Sequence, residues 1–214
     1  MDIAIVGMDC LLPGARSAEE WIANSKRGQR ALRKVPANRW PVDPDSVLGG
    51  TLGEPDKTAT LMGGFVDEDG QEDWLEPEFN DLDPLFHWAV RVGKRAIGDS
   101  PINPARTGLF AGSLALPSSG AVRASAHHLP RTATSTTNEW LQGGSPLDLN
   151  QGALLAQLTA KTLGIHGDAI ALDAACASSL YAVELACRQL RAGQLDAALT
   201  IGINRADSAY LFIG

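Results

Sequence analysis

One of the three cysteines stands among small residues in a setting suited to covalent chemistry. Cys176 lies in the run Asp-Ala-Ala-Cys-Ala-Ser-Ser at positions 173–179, directly after an apolar stretch at 169–172. The apolar stretch predicts a buried strand and the following residues predict a helix, so the cysteine would lie where a strand turns into a helix. Backbone N–H groups and the positive end of the helix dipole meet at such a turn and favour a thiolate.

A thiolate at this turn is suited to attack the carbonyl carbon of a thioester. The small neighbours Ala174, Ala175, Ala177 and Ser178 leave room for an acyl chain and a narrow pantetheine arm. The same backbone N–H groups could hold the oxyanion that forms during the attack. Position alone leaves a second interpretation equally open, in which Cys176 is a small buried residue packed at a crowded turn.

The remaining cysteines and histidines give weaker signals. Cys187 falls on the apolar stripe of the predicted helix and Cys10 in an early turn, so we interpret both as structural. The cysteines at positions 10, 176 and 187 form neither a CxxC pair nor a zinc-finger spacing, which predicts no metal site, no disulfide and a reducing compartment. We interpret His87, beside a helix stripe, as a packed or half-exposed residue and not as a catalytic one, and we assign no role to His127 and His128.

Strands and helices alternate along the chain, which indicates an α/β fold with a layered sheet. Residues 36–81 interrupt the alternation and predict a long irregular excursion. The capping-box pair Ser17 and Glu20 predicts a helix that Gly28 ends. Further helices are expected from Asp83 and Pro84, from Asp148 or Asn150 to Gly164, and from the Cys176 run to Gly193. The last of these helices has an apolar stripe of Leu180, Val183, Ala186, Cys187 and Leu190. Strands are expected at 3–6, 107–111, 169–172 and 197–203.

Bulk composition restricts the classes of function. The 214 residues suit one domain with its own core, with 44% hydrophobic and 20% charged residues. A net charge of -7 argues against a broad nucleic-acid surface, and no stretch has the apolar length of a membrane span. The N-terminus is unlike a signal peptide, so we expect a cytoplasmic protein. One basic stretch is expected to be a solvated surface or a docking patch for an acidic carrier protein: Lys26, Arg27, Arg30, Arg33, Lys34 and Arg39.

The Cys176 run, extended by Leu180, resembles the nucleophile motif of β-ketoacyl synthases. That motif places an Asp, two small residues, the active cysteine and a Ser-rich helix start in succession. The version here, Ala-Ala-Cys-Ala-Ser-Ser followed by Leu180 and Tyr181, is most similar to ketosynthases of polyunsaturated fatty acid synthases and related iterative polyketide synthases. Other segments resemble the modular polyketide and fatty-acid synthase branch in the same order: 3–8, 12–15, Trp21, 35–36, 39–40, 63–65, 82–86 and 206–207.

The resemblance implies a thiolase-like fold of five α/β/α/β/α layers built from two similar halves, usually as a homodimer. It implies that an acyl group passes from an acyl carrier protein or coenzyme A to Cys176. Decarboxylative Claisen condensation with malonyl-acyl carrier protein would follow in polyketide or fatty acid biosynthesis. No bound cofactor is implied, because the partner supplies the phosphopantetheine arm.

Two histidine motifs that the family uses for condensation do not occur in this sequence, and His166 lies upstream of the cysteine at a position that does not match them. We therefore expect residues 1–214 to be the N-terminal half of the domain, able at most to be acylated at Cys176 and prone to self-association. Two alternatives stay open. One is a non-catalytic docking or dimerising module, or a degenerate homologue. The other is a thiolase or a coenzyme A-dependent initiating synthase.

Overall fold

A parallel three-stranded sheet forms the centre of the structure. The computed structural model describes residues 2–37, 39–49, 54–67, 80–114, 118–126, 128, 142–205 and 209. Strand β3 (Thr107–Gly112) lies in the middle, with β4 (Ala169–Leu172) on one side and β5 (Ala197–Gly202) on the other. All six residues of β3 are buried, as a central strand requires. These strands confirm the expectations at 107–111, 169–172 and 197–203.

Helices cover both faces of this sheet. Helices α2 (Pro84–Ile97) and α4 (Gln151–Thr162) share one apolar core with the sheet, centred on Phe86, Leu109 and Leu155. Helix α5 (Ser178–Arg191) covers the opposite face, where Ala182 and Ala186 pack against Phe110. The result is a layered α/β/α unit, in agreement with the predicted fold class. None of the helices in the described ranges is both long and apolar enough to cross a membrane.

Local end signals explain where the helices begin and end. Asp83 caps α2 because its Oδ1 accepts a hydrogen bond from Leu85 N at 3.0 Å, and Pro84 occupies the first turn. Gly164 and Gly193 follow α4 and α5 with φ of +67° each, a backbone conformation that suits glycine. Helix α1 (Ala18–Lys26) is capped by Ser17, whose Oγ accepts from Glu20 N at 3.2 Å. These ends confirm the sequence interpretation.

Two short strands pair beside the long excursion, one before it and one within it. Strand β1 (Leu32–Lys34) pairs antiparallel with β2 (Met62–Gly64), and a separate small core beside them contains Val35, Trp40 and Phe65. Helix α3 (Ser119–Ala126) was not expected, because it lies within a stretch at 113–146 that is rich in Ser, Thr, Gly and Ala and has few large apolar residues. Three short 3₁₀ helices complete the described elements, at Pro44–Val47, Pro104–Arg106 and Pro146–Asn150.

The predicted strand at 3–6 is wrong. The structure places Ile5 and Val6 in an irregular segment with 88% and 80% of their surface exposed. Within the described residues, this segment pairs with neither edge strand of the parallel sheet, β4 or β5. An apolar β-branched run shows strand propensity but does not specify a partner strand.

Candidate functional site

The Cys176 elbow, defined here as residues 173–178, joins β4 to α5. Strand β4 ends at Leu172 and α5 begins at Ser178, so the chain reverses within five residues. Cys176 is exposed, two residues before the helix. The packed, buried interpretation of this cysteine therefore does not fit the structure, whereas the strand-to-helix turn does.

Ala175 gives the elbow its sharp bend. Its φ is +51°, in the left-handed region that residues with a Cβ rarely adopt. This conformation costs roughly 1–2 kcal/mol for a residue other than glycine. Strain of this kind persists only where surrounding contacts hold the backbone, and such places are often functional.

Hydrogen bonds hold the bend on both sides of Ala175. Asp173 Oδ1 accepts from Ala175 N at 2.8 Å. Ser178 Oγ donates to the carbonyl oxygen of Ala175 at 2.7 Å and accepts from Ala174 N at 2.9 Å. Side-chain to backbone bonds of this type stabilise turns in place of regular structure. Asp173 and Ser178 therefore fix the backbone that carries Cys176.

Two glycines at the ends of neighbouring strands let α5 approach the sheet closely. A Cβ on Gly112, at the end of β3, would lie 2.5 Å from the carbonyl carbon of Ser178 and 2.7 Å from Ser179 N. A Cβ on Gly202, at the end of β5, would lie 2.9 Å from Ser179 Cβ. The start of α5 therefore rests directly on the backbone of β3 and β5, which sets the height of the elbow above the sheet.

Comparison with known proteins decides the family. Residues 1–213 match the family described as "Beta-ketoacyl synthase, N-terminal domain". The chain belongs to this family. Its recognition as a β-ketoacyl synthase of the polyketide synthase type is confirmed.

Similar proteins are polyketide synthases. The chain is 31% identical over 208 residues to a mycocerosic acid synthase-like polyketide synthase of Mycolicibacterium smegmatis, which covers 94% of this chain and 9% of that protein. It is 30% identical over 227 residues to the pikromycin polyketide synthase component PikAII of Streptomyces venezuelae, covering 99% of this chain and 6% of that protein. The chain thus spans less than a tenth of the length of these relatives.

Solved ketosynthases share the fold. The oxazolomycin ketosynthase domain of Streptomyces albus superposes with a TM-score of 0.76 at 22% identity, covering 98% of this chain and 35% of that one. A structure entitled PfaC keto synthase-chain length factor superposes with a TM-score of 0.73 at 27% identity, covering 98% of this chain and 25% of that one. The fold is therefore the thiolase-like fold of ketosynthases, over its N-terminal half.

A buried ion pair ties together the two chain segments that leave β3 and β5 in this ketosynthase domain. Asp83 Oδ2 accepts from Gly120 N at 2.8 Å and from Arg205 Nη1 at 3.2 Å, and its side chain is fully buried. Gly120 follows β3 and Arg205 follows β5 in the chain. Arg205 Nη1 also donates to Ser119 Oγ, and its guanidinium lies 5.6 Å from the centre of the Trp88 ring. Asp83 thus fixes the segments beyond both strand ends on which α5 rests.

A second carboxylate supports this pair from the other side. Asp148 is fully buried; its Oδ1 accepts from Asp83 N at 3.0 Å, and its Oδ2 accepts from Ser145 N at 3.2 Å. Burial raises the pKa of Asp148, the two backbone hydrogen bonds lower it, and the negative charge of Asp83 raises it again. The sequence indicated Asp83 and Asp148 as candidate helix caps, but it gave no signal for Arg205, which is 122 residues from Asp83.

The structure places the other candidate residues outside the elbow. Cys187 lies half-buried within α5, and Cys10 is half-buried, where burial first and the charge of Asp9 second raise the pKa of its thiol. His87 is buried in α2, as its packed interpretation predicted. The backbone N–H of His166 donates to the carbonyl of Pro104 at 2.9 Å. His128 is exposed, whereas His127 and the segment 206–207 lie outside the described residues.

Proposed function

We propose that Cys176 accepts an acyl group as a thioester in a β-ketoacyl synthase reaction. The observation that supports this role is an exposed cysteine on a strained elbow at the start of a helix, within a β-ketoacyl synthase domain. A strained, braced backbone that presents a thiol is typical of an activated nucleophile.

The acylation step needs a thiolate and a place for developing negative charge. The Cys176 sulfur attacks the carbonyl carbon of an acyl thioester, a new C–S bond forms, and the bond to the donor's sulfur breaks. The released donor thiolate then takes up a proton from solvent. The N-cap of α5 is Ala177, whose side chain has no hydrogen-bond acceptor, so no N-cap side chain engages the first turn. The N–H of Ser178 donates to the carbonyl of Ala175 at 3.1 Å, so the N–H groups proposed for this role are those that follow it in the turn. Such groups can stabilise the oxyanion of the tetrahedral intermediate.

Several finer features are part of the same proposal. The acyl donor would be an acyl carrier protein whose phosphopantetheine arm reaches Cys176, or coenzyme A. The complete domain would then perform decarboxylative Claisen condensation with malonyl-acyl carrier protein in polyketide or fatty acid biosynthesis. We propose that the complete domain is a cytoplasmic homodimer and that residues 1–214 alone carry out no condensation.

Intact mass spectrometry after incubation with an acyl thioester tests the acylation step. We expect one acyl adduct on the wild type, its loss in Cys176→Ala, and its retention in the matched variant Cys187→Ala, which removes a thiol from the middle of α5. Peptide mapping would place the adduct at Cys176. An adduct that survives in Cys176→Ala would refute the proposed nucleophile.

A second candidate function rests on the outer face of α5. Leu180, Tyr181 and Val183 are exposed by 71%, 57% and 45%, so this part of the helix presents apolar surface. A non-catalytic docking or dimerising module would use this face and would not need the thiol. In the mass experiment, that module would give no adduct on the wild type.

A further inference from the structure

The hydroxyl of Ser178 connects peptide units before and after the strained residue Ala175. Ser178 Oγ accepts a hydrogen bond from Ala174 N at 2.9 Å and donates one to the carbonyl oxygen of Ala175 at 2.7 Å. Ala174 N belongs to the peptide unit that precedes Ala174, and the carbonyl belongs to the unit that joins Ala175 to Cys176. One side chain therefore holds both ends of the bend.

The second of these bonds restricts the peptide unit from which Cys176 starts. The carbonyl oxygen of Ala175 accepts from Ser178 Oγ and also from Ser178 N, the latter at 3.1 Å. A peptide unit is planar and includes the next Cα atom, so a carbonyl held in place restricts where the Cα of Cys176 lies. Ser178 thus helps to set the position from which the thiol side chain extends.

Ser178 is itself anchored to the sheet. The residue is 5% exposed, and a Cβ on Gly112 would lie 2.5 Å from its carbonyl carbon, so its backbone lies directly against the end of β3. A side chain holds a reactive group precisely only where packing holds that side chain in turn. Ser178 meets this condition, whereas Cys176, two residues earlier, is exposed.

The hydroxyl acts through the backbone and not on a substrate. Both of its hydrogen bonds within the described residues go to backbone atoms of the Cys176 elbow. The other side chain that braces the bend is Asp173, which accepts from Ala175 N. Ala175 has a φ of +51°, and a strained conformation of this kind relaxes when the contacts that hold it are lost. Removing the Ser178 hydroxyl should therefore let the elbow shift while the thiol stays exposed.

We propose that Ser178 is a positioning residue for acylation of Cys176, an inference that rests on the proposed function. Its hydroxyl aligns the sulfur with the first-turn N–H groups that follow Ser178 N, so that both face the same thioester. Attack on a thioester needs this alignment, because the carbonyl carbon must meet the sulfur while its oxygen meets the N–H donors. Alkylation of the same sulfur by iodoacetamide needs only an accessible thiolate. The two reactions therefore separate alignment from reactivity.

The rate of acylation by a hexanoyl thioester of N-acetylcysteamine, followed by intact mass spectrometry on the 214-residue chain, tests the proposal. The hexanoyl group moves to the Cys176 sulfur, and N-acetylcysteamine leaves and takes up a proton from solvent. We expect Ser178→Ala to lower the maximal rate at saturating thioester by about tenfold or more, since a misplacement of about 1 Å can cost about a hundredfold. The half-saturating concentration of thioester should stay unchanged.

Two further variants control for the loss of a hydroxyl and for folding. Ser125→Ala is the matched control, because Ser125 Oγ in α3 also donates to the carbonyl three residues earlier, that of Val122, at 2.8 Å. This variant should be acylated at the wild-type rate. Ser178→Thr keeps the hydroxyl and should recover most of the wild-type rate, which tests the proposal even if Ser178→Ala fails to fold.

Alkylation by iodoacetamide at the same pH, in which the Cys176 sulfur displaces iodide, should proceed at the wild-type rate in the folded variants. A wild type that forms no hexanoyl adduct would refute the proposed function and this inference with it. Equal acylation of Ser178→Ala and wild type would overturn this inference alone and leave the nucleophile in place. Acylation of Ser178→Thr as slow as that of Ser178→Ala, or alkylation that falls in parallel with acylation, would also overturn it.

Discussion

Replacing Gly112 by alanine should push the start of α5 away from the sheet. The added Cβ would lie 2.5, 2.6 and 2.7 Å from three backbone atoms, namely the carbonyl carbon and oxygen of Ser178 and the nitrogen of Ser179. Carbon atoms in contact normally lie about 3.5–4.0 Å apart, so relief requires a displacement of about 1 Å. Because all three atoms belong to the backbone, no side-chain rotation can provide that displacement.

The expected cost follows from overpacking. Forcing an extra methyl group into a well-packed site typically costs about 1–3 kcal/mol, and we expect Gly112→Ala to lower the free energy of unfolding by an amount in that range. Gly202→Ala should cost less, since its Cβ meets the Cβ of Ser179 at 2.9 Å and not the backbone. Gly152→Ala is the matched control: nothing lies within 4 Å of its added Cβ, and it occupies helix α4. That change should stabilise by up to about 1 kcal/mol through helix propensity.

Urea denaturation of the wild type and the three glycine variants measures their relative stabilities directly. The midpoint reports stability, and the slope reports the surface exposed on unfolding. Acylation of Cys176 by an acyl thioester provides the second measurement, because the elbow is attached to the displaced helix start. We expect slower acylation in Gly112→Ala and an unchanged rate in Gly152→Ala. If Gly112→Ala unfolds within about 0.5 kcal/mol of wild type and is acylated at the wild-type rate, the close approach of α5 to β3 is not what positions the elbow.

Three further predictions concern the bend, the buried carboxylate and the exposed helix face. Ala175→Val should lose about 1–3 kcal/mol in urea denaturation while Ala175→Gly keeps wild-type stability, since φ is +51°; equal losses would contradict the strain argument. Because the pKa of Asp148 is raised in the folded state, the free energy of unfolding should fall as pH rises from the ordinary carboxyl value through the raised one. Urea midpoints measured across that pH range should no longer depend on pH in Asp148→Asn. If the pH dependence is unchanged in that variant, it comes from another titratable group. Leu180→Glu, on the exposed face of α5, should reduce self-association in sedimentation velocity, and identical sedimentation would argue against this face as the contact.

Local signals in the sequence predicted most element boundaries. Ser17 and Asp83 cap α1 and α2, and Gly164 and Gly193 follow α4 and α5, all at positions that the residue types indicated. These signals work because a cap or a left-handed glycine depends on residues only a few positions apart. The Cys176 elbow was predictable for the same reason, since Asp173 and Ser178 brace it from within the run itself.

Features set by distant partners could not be predicted in the same way. The apolar run at 3–6 has strand propensity, yet it pairs with none of the described strands, because nothing local in the run specifies a partner strand. Ala186 on the predicted stripe is buried as expected, but Leu180 and Val183 are exposed, and the buried face of α5 also includes Ser178 and Ala182. A period shows which residues share a helix face and does not show which part of that face another element covers.

The elbow shows how local and distant contacts combine at one residue. Hydrogen bonds from Asp173 and Ser178 hold Ala175 in a strained conformation, but Ser178 itself is placed by the close contact of α5 with Gly112. The segment beyond Gly112 is in turn fixed by the buried carboxylate of Asp83, which also binds Arg205 beyond β5. Removing the charge at Asp83 would break its buried ion pair with Arg205, a change that typically costs about 3–5 kcal/mol. The geometry of Cys176 therefore depends on a residue 93 positions earlier in the chain, because one carboxylate oxygen joins the segments that follow both strands supporting its helix.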